Sequence, residues 1–120
     1  MVNIVVVIGQ LAKQPEARSL PSGLSLANFD VRVERADEST ESVPVALFTG
    51  PEGAPSWQEG DELLVVGRVR RRFFRVGGST QSRTEVVAER VLPVGEVDAV
   101  AEALEQAKNA LSSAVRQGPA

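Results

Sequence analysis

The chain has 120 residues and a net charge of −3, and its 42% hydrophobic and 24% charged residues are typical of a globular domain. It contains no cysteine, histidine or tyrosine, which excludes disulfides, zinc–thiolate sites and the commonest general base and metal ligand. No apolar run approaches the roughly 20 residues of a transmembrane helix. We therefore expect a cytoplasmic protein without membrane contact, metal ion or cofactor.

The first part of the chain predicts two long strands. Residues 2–11 are rich in β-branched side chains and predict a strand that is buried on both faces, with a bend at Gly9. Residues 12–23 hold proline and glycine turn signals, so Arg18 is expected outside the strands. Residues 24–35 alternate well enough to form the second strand.

The middle of the chain predicts one strand between two irregular segments. Residues 36–42 are polar and acidic and predict a loop, and residues 43–48 predict the third strand. The connector, residues 49–60, is rich in glycine and proline and leaves room for one helical turn at most. We expect its Trp57 to plug the core beside Phe29.

Two further strands complete the predicted sheet. Residues 63–74 form the fourth strand, in which Gly67 predicts a bend at a barrel corner. Residues 76–80 predict a mobile turn, and residues 83–94 form the fifth strand. Five strands with a short connector between the third and the fourth are typical of a small closed barrel. On this pattern alone, an OB-fold competes with other five-stranded barrels.

The end of the chain predicts a helix, because residues 96–117 contain neither proline nor glycine and are rich in alanine. We expect this amphipathic helix to pack on its own barrel or on a neighbouring subunit. The chain then divides into a barrel domain (1–95), a helix (96–117) and a tail (118–120). The predicted apolar seam has heptad spacing and consists of Val97, Val100, Leu104, Ala107, Leu111 and Ala114.

The most informative segment is residues 68–74, which hold four arginines and two phenylalanines. In a strand, successive side chains point to opposite faces. Arg71 and Phe73 therefore lie on the face opposite to the other arginines, unless a bulge near Gly67 exchanges the residues of the two faces. Arginines beside an aromatic ring suit single-stranded nucleic acid, although a solvated edge strand protected by charge is an equal alternative. The predicted first face carries Arg68, Arg70, Arg72 and Phe74.

Several short segments follow one another in a characteristic order: NIVVVIGQL (3–11), PEAR (15–18), PSG (21–23), VALF (45–48), GD (60–61) followed by residues 63–72, and EVVAERV (85–91). Over about residues 1–92 this order resembles the bacterial single-stranded-DNA-binding proteins. The resemblance implies an OB-fold, usually a homotetramer, which wraps single-stranded DNA without strong sequence preference and serves replication, repair and recombination. It also implies that first strands pair between subunits, as a homotetramer or homodimer.

Site residues follow from this resemblance position by position. Phe48 and Phe74 occupy the positions where the family stacks bases, whereas two further family tryptophan positions fall near Asp37 and Ser42, which are not aromatic. Arg18 is expected to lie away from the proposed face. The arginines expected to contact phosphates are Arg68, Arg70 and Arg72, with help from Arg75 and Arg35.

Two departures from the family pattern, the two missing aromatic residues and the end of the chain, indicate a divergent paralogue. The family commonly ends in an acidic tail with an apolar tip that recruits replication and repair proteins, whereas this chain ends in VRQGPA. The alternative function is an OB-fold interaction module of a primosome-like complex, with weak or no DNA binding. Enzymatic activity is not expected, because adjacent carboxylates such as Asp61 and Glu62 diverge to opposite faces of a strand.

Overall fold

The computed structural model describes residues 1–51 and 53–117. The predicted tail, residues 118–120, lies outside the described residues. The described parts of the chain form six strands and one helix: β1 (Val5–Leu11), β2 (Glu16–Ser19), β3 (Ser25–Glu34), β4 (Thr40–Thr49), β5 (Glu62–Val76), β6 (Ser79–Pro93) and α1 (Val97–Arg116).

The six strands form one sheet in the order β1-β5-β6-β4-β3-β2, which closes into a barrel where β1 also pairs with β3 at Gln10 and Leu11. The β4–β6 pair is parallel and the other pairs are antiparallel. The predicted OB-fold with a C-terminal helix is confirmed. Its buried core consists of Leu11, Phe29, Val31, Val45, Leu63, Val65, Val86 and Ala88.

The strand β2 was not predicted from the sequence. All four of its side chains are exposed, so it has no hydrophobic pattern, and it is held by antiparallel pairing with the first residues of β3. The strand β4 also begins earlier than expected, at Thr40 in the predicted acidic loop, because residues 40–42 pair with residues 32–34 of β3. The backbone pairing of β3 therefore extends the sheet into segments that sequence patterns assign to loops.

The connector between β4 and β5 contributes to the core as expected. Trp57 packs against the buried cluster, and its ring meets that of Phe29 edge to face, with 5.7 Å between the centroids. Such an aromatic pair stabilises more than its buried area alone. The connector therefore covers one opening of the barrel.

A β-bulge interrupts the pairing of β5 and β6 at Gly67. Val66 faces Arg90 whereas Gly67 faces Ala88, so Glu89 is the extra residue and lies in β6. A side chain at position 67 would collide with the carbonyl oxygen of Val87, which explains the glycine. Because the bulge is in β6, the alternation of side chains along β5 continues unbroken.

The helix α1 packs on the outer face of the barrel, where Ala103 is buried. Val100 and Ala107 flank it, and the three residues cover Leu64 and Val66 of β5. Leu104 and Leu111 of the predicted seam are exposed instead, because the helix meets the sheet along its alanine side. No helix in the described parts of the chain has the length and apolar character to cross a bilayer.

Candidate nucleic-acid interface

The hairpin of β5 and β6 extends beyond the barrel. β1 pairs with β5 only as far as Gly67, and β4 pairs with β6 only at Val86 and Val87. Within the described sheet, β6 is therefore the only strand that pairs with residues 68–76 of β5, and the side chain of Asn3 adds two hydrogen bonds to the backbone of Val69. The hairpin closes at Gly77 and Gly78, whose φ angles of 56° and 83° are those of a two-residue hairpin turn.

One face of the hairpin carries the predicted row of arginines. Directly opposed residues of an antiparallel pair share a face, and Glu85 faces Arg70 while Arg83 faces Arg72. The uninterrupted alternation of β5 confirms that the four β5 residues predicted to share a face do so. The arginine face is defined here as Arg68, Arg70, Arg72, Phe74, Arg83 and Glu85.

A buried carboxylate organises this surface. Glu85 is only 4% exposed, and the Nη2 atom of Arg70 donates a hydrogen bond to its Oε2 atom. The Nε atom of Arg72 lies 3.6 Å from the same oxygen, and the Nε atom of Arg83 lies 3.7 Å from Oε1. One carboxylate therefore attracts three guanidinium groups and orders them into a compact cationic cluster.

Arg70 differs from the other two arginines in its surroundings. Its Nε atom is buried and lacks a hydrogen-bond partner among the described residues, while its Nη2 atom is committed to Glu85. Removing Glu85 would leave this partly buried cation uncompensated, which is costly. Arg72 and Arg83 are more exposed, and each approaches Glu85 through its Nε atom, which leaves its two Nη groups outside that ion pair.

A groove of about 450 Å³ lies beside the arginine face. Arg72 and Arg83 line one side of it, and Arg18 of β2 and Asn28 of β3 line the other. The expectation that Arg18 lies away from the proposed face is wrong, because the unpredicted strand β2 carries it into the groove. The only acidic side chain among the described lining residues is Glu16, so the groove attracts anions.

The two candidate stacking rings lie on the same side of the sheet as the arginine face. Phe48 is 44% exposed near the end of β4. Ala46 lies on the same face of β4 as Phe48 and pairs with Val87 of β6. Val87 in turn pairs with Arg68 of β5, so Phe48 and Arg68 lie on the same side of the sheet. Phe74 is half-buried at the other end of the row, and the guanidinium carbon of Arg72 lies 5.5 Å from its ring centroid.

The two remaining predicted arginines do not join this surface. Arg35 lies near the β3–β4 turn, where its Nη1 atom is 3.0 Å from Glu41 and its Nε atom is 3.9 Å from Asp37. Hydrogen bonds from the hydroxyl and amide of Ser39 lower the pKa of Asp37. Arg75 lies on the opposite face of the hairpin by register and donates to the carbonyl oxygen of Gly78 at 3.0 Å.

Comparison with known proteins decides the family. Residues 2–94 match the model of the single-strand binding protein family. The chain belongs to this family. The single-stranded DNA-binding protein of Oceanobacillus iheyensis is 31% identical over 100 residues, which cover 76% of this chain and 62% of that protein. Single-stranded DNA-binding protein 1 of Streptococcus pyogenes is 32% identical over 98 residues, which cover 74% of this chain and 75% of that protein.

A third relative gives the same result. Single-stranded DNA-binding protein 3 of Listeria innocua is 31% identical over 100 residues, or 76% of this chain and 62% of that protein. The chain thus spans less than two thirds of the length of the Oceanobacillus and Listeria proteins. The family match ends at residue 94, before α1 begins. The arginine face and its groove lie within the part shared with the single-strand binding protein family, whereas the helix lies beyond it.

Four residues of this surface were missed in the sequence: Arg18, Asn28, Arg83 and Glu85. A usable signal existed for two of them. A two-residue turn at Gly77 and Gly78 fixes the hairpin register, and counting back from it sets Glu85 opposite Arg70. Arg83 follows by the same count. Arg18 and Asn28 had no such signal, because they meet the arginine face only through the closure of the barrel.

Proposed function

We propose that this chain binds single-stranded DNA with little sequence preference and serves replication, repair or recombination. The observation that carries the proposal is the concentration of cations and rings on one surface. Two glutamates, Glu16 and Glu85, accompany five arginines there, which leaves an excess of three positive charges on a chain of net charge −3. The five arginines are Arg18, Arg68, Arg70, Arg72 and Arg83, and the rings are Phe48 and Phe74.

The chemistry of this surface accounts for tolerance of sequence. Guanidinium groups contact phosphates, which are the same in every nucleotide. Phenylalanine rings stack on any base because every base has a π-face, at about 1–3 kcal/mol per base. The stack of Arg72 on Phe74 adds a second flat surface, since bases also stack on guanidinium planes.

Titration of a fluorescent oligo-dT at two salt concentrations tests the proposal. Each phosphate neutralised on a single strand contributes about 0.7 to the slope of log K against log salt. We expect tight binding at low salt with a steep slope, and we expect the Arg72→Ala/Arg83→Ala double variant to flatten that slope for every sequence alike. Absence of binding at low salt would reject the proposed function.

The matched control is Arg32→Ala. Arg32 lines a separate groove with Ile8, Gly9 and Glu62, and this variant removes the same charge without touching the arginine face. Its salt slope should equal that of the wild type. An equal loss of slope in the control would attribute the binding to the overall charge instead of to the arginine face.

The chain is further proposed to form a homotetramer or homodimer through β1. Within the described chain, residues 5–9 pair with β5 along one edge only, and Val6 and Ile8 of this strand are exposed. An open edge with apolar side chains favours pairing with another strand. Light scattering at micromolar concentration should give a multiple of the 12.8 kDa chain mass, and a monomer mass would contradict this assignment.

A second candidate function is an interaction module that contacts replication or repair proteins and binds DNA weakly or not at all. The exposed apolar side chains of α1, among them Leu104, Leu111 and Val115, favour it. The oligo-dT titration separates the two candidates. If DNA binding holds, the cytoplasm is the proposed location of the protein, with residues 1–95 as the binding domain.

A further inference from the structure

The second face of the hairpin is also equipped to contact a ligand. By strand register it carries Arg71, Phe73 and Arg75 of β5, and Phe73 is 65% exposed. This ring is more exposed than either candidate stacking ring, Phe48 or Phe74. The Phe73 face is defined here as Val69, Arg71, Phe73, Arg75, Thr80, Ser82 and Thr84.

Two contacts hold the cation beside this ring. The guanidinium carbon of Arg71 lies 5.4 Å from the ring centroid of Phe73, and its Nη2 atom donates a hydrogen bond to the Oγ atom of Ser82 at 3.1 Å. The opposite face carries the same arrangement, with Arg72 at 5.5 Å from the ring centroid of Phe74. The hairpin therefore presents one ordered arginine–phenylalanine pair on each side.

The charge of the Phe73 face indicates the class of its ligand. Among the described residues of β5 and β6, this part of the hairpin carries two arginines and three hydroxyl side chains but no acid. Hydroxyls and uncompensated guanidinium groups around an exposed ring match phosphates and a base.

We propose that the Phe73 face is a second contact site for single-stranded nucleic acid. A strand bound along the arginine face continues around the hairpin, one base stacks on Phe73, and Arg71 and Arg75 contact its phosphates. The inference rests on the proposed function and deepens it, because it makes the hairpin a two-sided binding element. Its consequence is that a long strand gains contacts that a short strand does not make.

Two ligand lengths test this inference. The short ligand is an oligo-dT of about 8 nucleotides, within the range that one OB-fold covers, and the long ligand is poly-dT. We expect Phe73→Ala to leave the affinity for the short ligand within about twofold, to weaken binding of poly-dT about 5- to 150-fold, and to reduce the number of nucleotides occluded per protomer.

The matched control is Phe74→Ala on the arginine face, which should weaken binding of both ligands. Phe73→Leu separates stacking from apolar packing: for a base as ligand it should behave like Phe73→Ala, because leucine has no flat ring. Unchanged affinity and occlusion on poly-dT in Phe73→Ala would overturn the inference. The inference would also be overturned if Phe73→Ala changed the oligomer mass but not the number of nucleotides occluded per protomer. That result would make the Phe73 face a contact between copies of the chain.

Failure of the proposed function gives a different result. In that case wild-type protein does not bind the short ligand, and Phe74→Ala has no effect. Circular dichroism of each variant verifies that the hairpin substitutions leave the fold intact. Rejection of the Phe73 face alone requires normal binding of both ligands by the Phe73→Ala variant.

Discussion

The two halves of β5 lie in different environments. All side chains of residues 63–66 are buried, with Leu63 and Val65 in the barrel core and Leu64 and Val66 beneath α1. Beyond Gly67 most side chains are exposed, because β1 and β4 have ended and β6 alone accompanies the strand. Other elements cover both faces of the barrel half, whereas most side chains of the hairpin half are exposed. Neighbouring elements, and not strand propensity, therefore decide whether a strand supports the fold or presents side chains to a ligand.

The largest effect is expected at the boundary between the halves. Gly67→Val places a side chain against the carbonyl oxygen of Val87, so the backbone of β5 or β6 must shift. We expect a loss of about 4 kcal/mol or more in the free energy of unfolding, among the largest effects of single substitutions. Urea denaturation measures it. Gly95→Ala is the control, since its surroundings are open, and a similar loss there would refute the steric explanation.

Substitution of two valines on the same face of β5 allows a direct comparison of how much each half contributes to stability. Val65 is fully buried in the core and Val69 is exposed on the hairpin. Val65→Ala should lower the free energy of unfolding by about 2–3 kcal/mol, from lost burial and the cavity that remains. Val69→Ala should change it by less than about 0.5 kcal/mol. Equal losses in urea denaturation would mean that the hairpin half is packed against another chain.

The hairpin half should instead respond in DNA binding. Phe74→Ala, and independently Phe48→Ala, should weaken oligo-dT binding by about 1–3 kcal/mol. The salt slope should stay nearly unchanged because a ring displaces no counterion, and the free energy of unfolding should change little. Fluorescence titration at several salt concentrations separates this behaviour from that of the arginines. Wild-type binding by both variants would exclude stacking on these rings.

The smallest effect on DNA binding is expected at the buried carboxylate of Glu85, whose replacement also costs stability. Glu85→Gln removes the charge that holds three guanidinium groups, so one more of them can neutralise a phosphate. We expect a steeper salt slope, by up to about 0.7, and a gain in low-salt affinity below about 1 kcal/mol. Glu89→Gln makes the same charge change at the bulge and should leave the slope as in wild type. A flatter salt slope in Glu85→Gln would show that Glu85 promotes DNA binding by ordering the arginines more than it weakens binding by pairing with them.

The barrel half of the molecule could be predicted from the sequence. The candidate nucleic-acid interface could be predicted only in part. Runs of β-branched residues identified β1, β3, β5 and β6, because core burial imposes such patterns locally. The short strand β2 has no apolar face, so its existence depends on β3. For the same reason Arg18 was assigned to a turn although it lines the groove.

The sequence of the hairpin determines more of the site than the alternation of side chains along β5 alone predicts. Alternation correctly separated Arg72 from Phe73 because the bulge lies in β6. Residues 76–80 are predicted only as a mobile turn, whereas the two-residue turn at Gly77 and Gly78 places Glu85 opposite Arg70. This register determines the ion pairs of the arginine face, which the spacing of arginines along one strand does not. The ion pairs in turn determine which guanidinium groups remain available to contact phosphates.

The position of α1 has a consequence for the route of a bound strand. Leu64 and Val66 point to the same side of β5 as Arg68, and the helix covers both. A polymer that follows β5 from Phe74 past the arginines therefore reaches a dead end at the helix. Sideways from Arg68, the sheet leads through Val87 and Ala46, which are both buried, to the exposed Phe48. A single strand that contacted both Phe74 and Phe48, as proposed, would therefore have to bend near Arg68.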